Sequence, residues 1–157
     1  MTQAQSSTPD ISDLPDWRGF HHVALMTPDL DATMRFYGDL LGMQVGPILQ
    51  GAGGQGRHCF IRPGATEAWG LHFFEHPDAQ VFAYPQNFPR FAVLPGALQH
   101  IAFTLPDEVA ALTLRQRLAA FGVAMTDIAQ IGPISNTLFR DNNGLLLEAT
   151  WPRDVEA

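Results

Sequence analysis

"FHHVALMTPDLDATMRFYGDLLGMQV" (20–45) and "LQHIAFTLPDEVAALTLRQRLAAFGVAM" (98–125) are two versions of one pattern. Each sets a histidine at the head of an alternating apolar run. Each reaches Pro-Asp six residues after that histidine, Pro28-Asp29 after His22 and Pro106-Asp107 after His100. Each then continues as an amphipathic stretch and stops at glycine, Gly42 or Gly122. Superposing the copies separates the histidine doublet: His22 matches His100, and His21 matches Gln99. Self-similarity over this span marks two copies of one supersecondary unit.

The same physics shapes both copies. His22, Ala24 and Met26 share one face of a period-two strand, and Val23 and Leu25 share the other. In the second copy His100, Ala102 and Thr104 oppose Ile101 and Phe103. Proline and aspartate open a helix in each, with Leu30, Met34, Tyr37 and Leu41, then Leu114, Leu118 and Phe121, at helical spacing. Glycine supplies a left-handed stop. Each helix is expected to cover the Val/Leu or Ile/Phe face, which leaves the histidine face looking into a cavity beside small alanines. Later strands complete each half: 57–61 and 70–75 in the first, 136–140 and 145–150 in the second, the last two joined by the turn at 141–144. A half of this size is marginal alone, so the two should pair.

Composition narrows the function. Nothing in the 157 residues reaches the length of an apolar membrane span. The formal charge of −7 argues against nucleic acid, which needs clustered positive charge. All nine basic residues are arginine, which excludes a lysine Schiff base and a P-loop lysine. Cys59 stands alone and the N-terminal stretch lacks a basic-then-apolar pattern, so a cytoplasmic home is expected.

Matching the last strands of the two halves adds a second pair. His72 lies 72 − 22 = 50 residues after His22, and Glu148 lies 148 − 100 = 48 residues after His100. The set His22, His72, His100 and Glu148 offers imidazole nitrogen and carboxylate oxygen, ordinary ligands for zinc, iron, manganese, nickel or cobalt. Two histidines and one carboxylate also describe the facial triad of non-haem iron. A lone strand histidine is more often a hydrogen-bonded core residue. Glu148, set among Leu145, Leu146 and Leu147, is costly to bury without a partner.

On "HHVALMTPDLDATMRFYGDLLGM", "QHIAFTLPD" and "LFRDNNGLLLEAT" the chain resembles the vicinal oxygen chelate superfamily of glyoxalases, extradiol dioxygenases, epimerases and fosfomycin and bleomycin resistance proteins. The resemblance implies an α+β fold of two paired βαβββ modules around a concave metal-binding cup, formed within one chain or across a swapped dimer. It implies a divalent metal on His22, His100 and Glu148, with His72 as fourth ligand or as an acid/base group. Glutamate or glutamine is usual at the His72 position, and that departure favours an Fe(II) dioxygenase-type oxidoreductase. The alternatives are a glyoxalase-like lyase, isomerase or epimerase using Ni, Co, Zn or Mn, in which Glu148 or His72 moves the proton, and a metal-free drug-binding resistance protein. A small-molecule substrate and a homodimer are expected, with neither nucleic acid nor membrane as partner. "DNNG" stands where Asp-Pro-Asp-Gly or Asp-Pro-Asn-Gly is usual in that family, a change expected to alter turn rigidity more than chemistry.

The domain plan is a tail at 1–17, a first module at 18–75, a linker or lid at 76–97, a second module at 98–152 and a tail at 153–157. Phe82, Tyr84, Phe88 and Phe91 in the linker would shape an apolar substrate pocket. "GAGGQG" (51–56) matches the dinucleotide-binding pattern but precedes a strand, so it reads as a loop. His21, His58 and His76 are assigned to solvent, caps or loops.

Overall fold

A computed structural model describes residues 19–51, 56–65, 70–80 and 98–153. The first module runs β1 (His22–Thr27), α1 (Leu30–Met34, continued by a wider π-helical turn, Arg35–Leu40), β2 (Gln44–Val45), β3 (Leu49–Gln50), β4 (Arg57–Arg62) and β5 (Gly70–Glu75). The second runs β6 (Ile101–Thr104), α2 (Glu108–Ala120), β7 (Ala129–Ile131), β8 (Ile134–Arg140) and β9 (Leu146–Pro152). The first sheet has the order β1-β5-β4-β2, with β3 also on β4, and the second β6-β9-β8-β7. Two mixed sheets, each with its own helix, form the α+β pair of modules that the repeat implies. Among the described residues no helix is long and apolar enough to cross a membrane.

Aspartate, not proline, caps each helix. Asp29 Oδ1 accepts from Ala32 N at 2.8 Å and Asp107 Oδ1 from Ala110 N at 2.8 Å, so Pro28 and Pro106 lie before the cap. Gly42 and Gly122, at φ 73° and 70°, make the left-handed stops. Leu30, Tyr37 and Leu118 are fully buried, but Phe121 is 62% exposed and falls off the apolar stripe. Leu118, Phe139, Leu147 and Ala149 join Leu30, Tyr37, Ile61, Leu71 and Phe73 in one core. The chain thus packs the helix-side faces of both sheets together and leaves the opposite faces outward, with His22, Ala24, Met26, Ala102 and Thr104 exposed.

The 141–144 turn ties the modules. Tyr37 donates from its hydroxyl to Asp141 Oδ2 at 2.9 Å, while Asp141 Oδ1 accepts from the backbone of Asn143 and Leu145, both at 2.8 Å. Asn142 and Asn143 donate to Thr33 Oγ1 at 3.0 and 3.2 Å. Arg117 of α2 reaches back to the carbonyls of Leu40 and Asp39. Asn142, which stands where proline is usual, and Asn143 therefore serve as cross-module donors as well as turn formers.

Candidate functional site

Strand register builds the same half-site twice. In the first sheet Ala24 and Phe60 flank His72 on the neighbouring strands. In the second, Ala102 and Leu138 flank Glu148. His72 and Glu148 are therefore structural equivalents, as their spacing predicts. They are buried at 7% and 8% exposure.

Glu148 has two partners. His100 Nε2 lies 2.8 Å from Glu148 Oε2, and Asn136 Nδ2 donates to Glu148 Oε1 at 2.6 Å. This answers the desolvation cost of a carboxylate set among leucines. Behind His100, its Nδ1 meets Gln99 Oε1 at 2.9 Å, which leaves Nε2 as the nitrogen facing Glu148.

His72 has different company. Phe60 stacks on its ring with centroids 3.8 Å apart, Phe74 lies at 4.0 Å, and the His22 ring is 5.3 Å away. His58 Nδ1 lies 2.8 Å from His72 Nε2. Burial, then the neighbouring His58 and His22, push the His72 imidazole down from its ordinary range to about 4. His21 Nδ1 meets His22 Nδ1 at 2.8 Å, the counterpart of the Gln99–His100 contact.

Each of the four candidate residues thus has a polar partner, and the partners match between modules. His21 and Gln99 precede the first-strand histidines. His58 and Asn136 sit two residues from the flanking Phe60 and Leu138, on the same faces. His58 departs from its assignment to solvent, caps or loops: it lies on β4 against His72. Asn136 drew no notice in the sequence. Its signal was there, 12 residues before Glu148 as His58 is 14 before His72, but it needs the hairpin registers to be read. His76 takes the expected loop role, accepting from Asp78 N at 3.3 Å. Phe82, Tyr84, Phe88 and Phe91 lie outside the described residues. Gly51 N closes on Gly56 O at 2.8 Å and β4 follows at once, so the glycine-rich stretch leads into a strand and not a helix.

His22 and His72 gather on the first sheet, and His100 and Glu148 on the second. Among the described residues of one chain, no three His, Cys, Asp or Glu side chains form a metal-holding group. The donor chemistry nevertheless fits a metal. Neighbouring ligands of a six-coordinate ion with bonds of about 2.1 Å stand roughly 3 Å apart, close to the 2.8 Å between His100 Nε2 and Glu148 Oε2. Among the described residues the buried Asn136 Oδ1 has no hydrogen-bond partner.

Two equivalent open-faced sheets, each bearing a pair of ligand-type side chains at the same register, define a two-module α+β fold. Residues 19–149 match the family model of the Glyoxalase/Bleomycin resistance protein/Dioxygenase superfamily, and the chain belongs to that family. A glyoxylase/bleomycin resistance protein/dioxygenase domain from Frankia sp. EAN1pec is similar in structure, with TM-score 0.68 and 23% identity over 87% of this chain and 99% of that one. FosX, the genomically encoded fosfomycin resistance protein of Listeria monocytogenes, aligns at TM-score 0.58 and 20% identity, over 87% and 94%. Lactoylglutathione lyase from Agrobacterium tumefaciens aligns at 0.55 and 20%, over 87% and 96%. At these identities the likeness is one of fold. A search of curated proteins found no match.

Proposed function

We propose that the protein is a divalent-metal enzyme whose ion is held by His22, His72, His100 and Glu148 and which acts on a small substrate with adjacent oxygens. The favoured reaction is an Fe(II)-dependent, dioxygenase-type oxidation. One observation carries the reading: four ligand-type side chains stand at equivalent registers of the two sheets, each braced by a polar partner at an equivalent place. Bracing of ligands by a second layer of hydrogen bonds is the usual construction of metal sites. When bound, the ion would act as a Lewis acid toward a substrate hydroxyl.

The chain's own residues contribute the rest. The depressed His72 value keeps that imidazole neutral at physiological pH, the form that offers a lone pair to a cation. The same value lies far below the working range of an efficient general base, so ligation suits His72 better than proton transfer. With Nε2 engaged by His58, Nδ1 is its remaining nitrogen. Phe60 and Phe74 shield the ring from water. Proton transfer then falls to Glu148.

A homodimer completes the site in this reading. Each chain turns its ligand-bearing faces outward, together with apolar residues that include Met26 (54% exposed), Leu98 (47%) and Leu49 (40%). A second copy covering these faces would set the first sheet of one chain against the second sheet of the other. The second reading is a lyase or isomerase of the glyoxalase type on Ni, Co, Zn or Mn. It uses the same four ligands and the same two remaining positions on a six-coordinate ion, so the reaction and not the ligand count separates the two.

The test is elemental analysis of protein purified without added metal, followed by oxygen uptake with a catechol panel and isomerisation of a glutathione hemithioacetal. Bound iron with oxygen consumption is the expected result. Bound metal with isomerisation and no oxygen uptake would select the second reading. Protein that takes up none of the five metals would return the chain to the ligand-binding resistance class.

A further inference from the structure

The Asn136 side chain is 3% exposed and sits against the Glu148 carboxylate. Its orientation follows from charge alone. Nδ2 is the only amide atom that can face an ionised carboxylate, because an oxygen there would be repelled. Oδ1 must then point the other way, where it is buried and has no partner among the described residues. A buried acceptor without a donor costs stability, and leucine has nearly the same shape without that cost. The fold thus keeps a residue that is poor for packing at the one place from which it reaches Glu148.

The other module repeats the arrangement independently. His58 occupies the same register on β4, and its ring nitrogen meets His72 as Asn136 meets Glu148. Two unlike polar residues at one repeated position share only this relation to the central ligand.

We propose that Asn136 is the positioning residue for Glu148: its amide holds the carboxylate in the pose it shares with His100. The inference rests on the metal reading for the first of its two readouts only. In that first experiment metal-free protein is titrated with cobalt(II) chloride and followed by the visible absorption of the ion. Asn136→Leu is expected to weaken Co(II) binding by about 10–100-fold and to change the absorption band, the usual effect of losing a ligand's hydrogen-bond partner. Thr150→Val, a neighbour on the same face, is expected to stay within about threefold of wild type, well short of that effect. The second readout needs no metal: in a crystal structure of metal-free Asn136→Leu, Glu148 turns away from His100. Should that variant not fold, Asn136→Ser, which keeps a polar group but is too short to span to Glu148, takes its place in both measurements. Co(II) affinity equal to wild type, or Glu148 still seated on His100 in the variant crystal, overturns the proposal. A wild type that binds no Co(II) refutes the metal reading instead, and the crystal readout alone then decides the role of Asn136.

Discussion

In the first sheet His72 lies between aromatic rings, whereas in the second the residue at the same register, Glu148, lies between an imidazole and an amide donor. The backbone frame is common: alanine on the first strand, the ligand-type residue on the last, and a polar partner one strand further on. Apolar, ring-lined surroundings depress an imidazole's affinity for protons and hold it neutral. Surroundings rich in donors let a carboxylate be buried without a lone unpaired charge. A repeated module can thus keep its backbone frame while each copy changes the central residue and its neighbours together.

The largest expected effect lies at the carboxylate half. Glu148→Ala or His100→Ala should abolish metal retention, as measured by elemental analysis after dialysis. His21→Ala, at an exposed residue whose ring meets Nδ1 of His22, should leave most of it. Equal loss in all three would erase the distinction between ligand and brace.

The contact that joins the two modules comes next. Tyr37→Phe removes a donor from the buried Asp141 and should cost about 2 kcal/mol in urea unfolding, the scale of a hydrogen bond to a charged group. A change near zero would mean that the modules do not depend on this tie.

pH separates the two half-sites. The folded His72 value near 4 lies below the ordinary imidazole value of 6.5, so between these limits the unfolded chain binds the extra proton. The His72 contribution to stability is therefore complete above about pH 6.5 and lost as pH falls toward 4. Asp141, raised by burial, acts in the opposite sense, so the useful quantity is the difference between wild type and His72→Gln in urea unfolding of metal-free protein at pH 7 and 4.5. That difference should shrink at the lower pH; a constant difference would contradict the aromatic, desolvated character of the first half-site.

The smallest effect is expected at the surface. Arg57 bridges Glu75 at 2.7 Å and Asp31 at 2.9 Å, beside the start of α1. Because these groups are solvent-screened, Arg57→Ala should give the smallest shift of the series in the same unfolding measurement; a shift as large as that of Tyr37→Phe would contradict this.

The repeat made most of the frame legible. The matched histidines fixed the two strand starts, the glycines fixed the helix ends, and the 50- and 48-residue offsets found His72 and Glu148. What stayed hidden depended on register. His58 and Asn136 become neighbours of His72 and Glu148 only once β4 pairs with β5 and β8 with β9, and no local periodicity reports that pairing. The π-helical turn in the first helix was hidden for a similar reason, because Leu30, Thr33, Tyr37 and Leu40 bury a stripe that simple helical spacing describes nearly as well. The role of the turn asparagines required knowing which side of the second module the first helix would meet.

Two tagged forms of the chain, co-expressed and purified through both tags, test the union of the half-sites most directly. One carries His22→Ala and His72→Ala; the other carries His100→Ala and Glu148→Ala. Neither form alone should hold metal. In the mixed dimer the intact second sheet of the first form meets the intact first sheet of the other, so elemental analysis should find one metal ion per dimer. A mixed dimer that stays metal-free, while the wild-type dimer loads, would show that the two half-sites do not combine across copies.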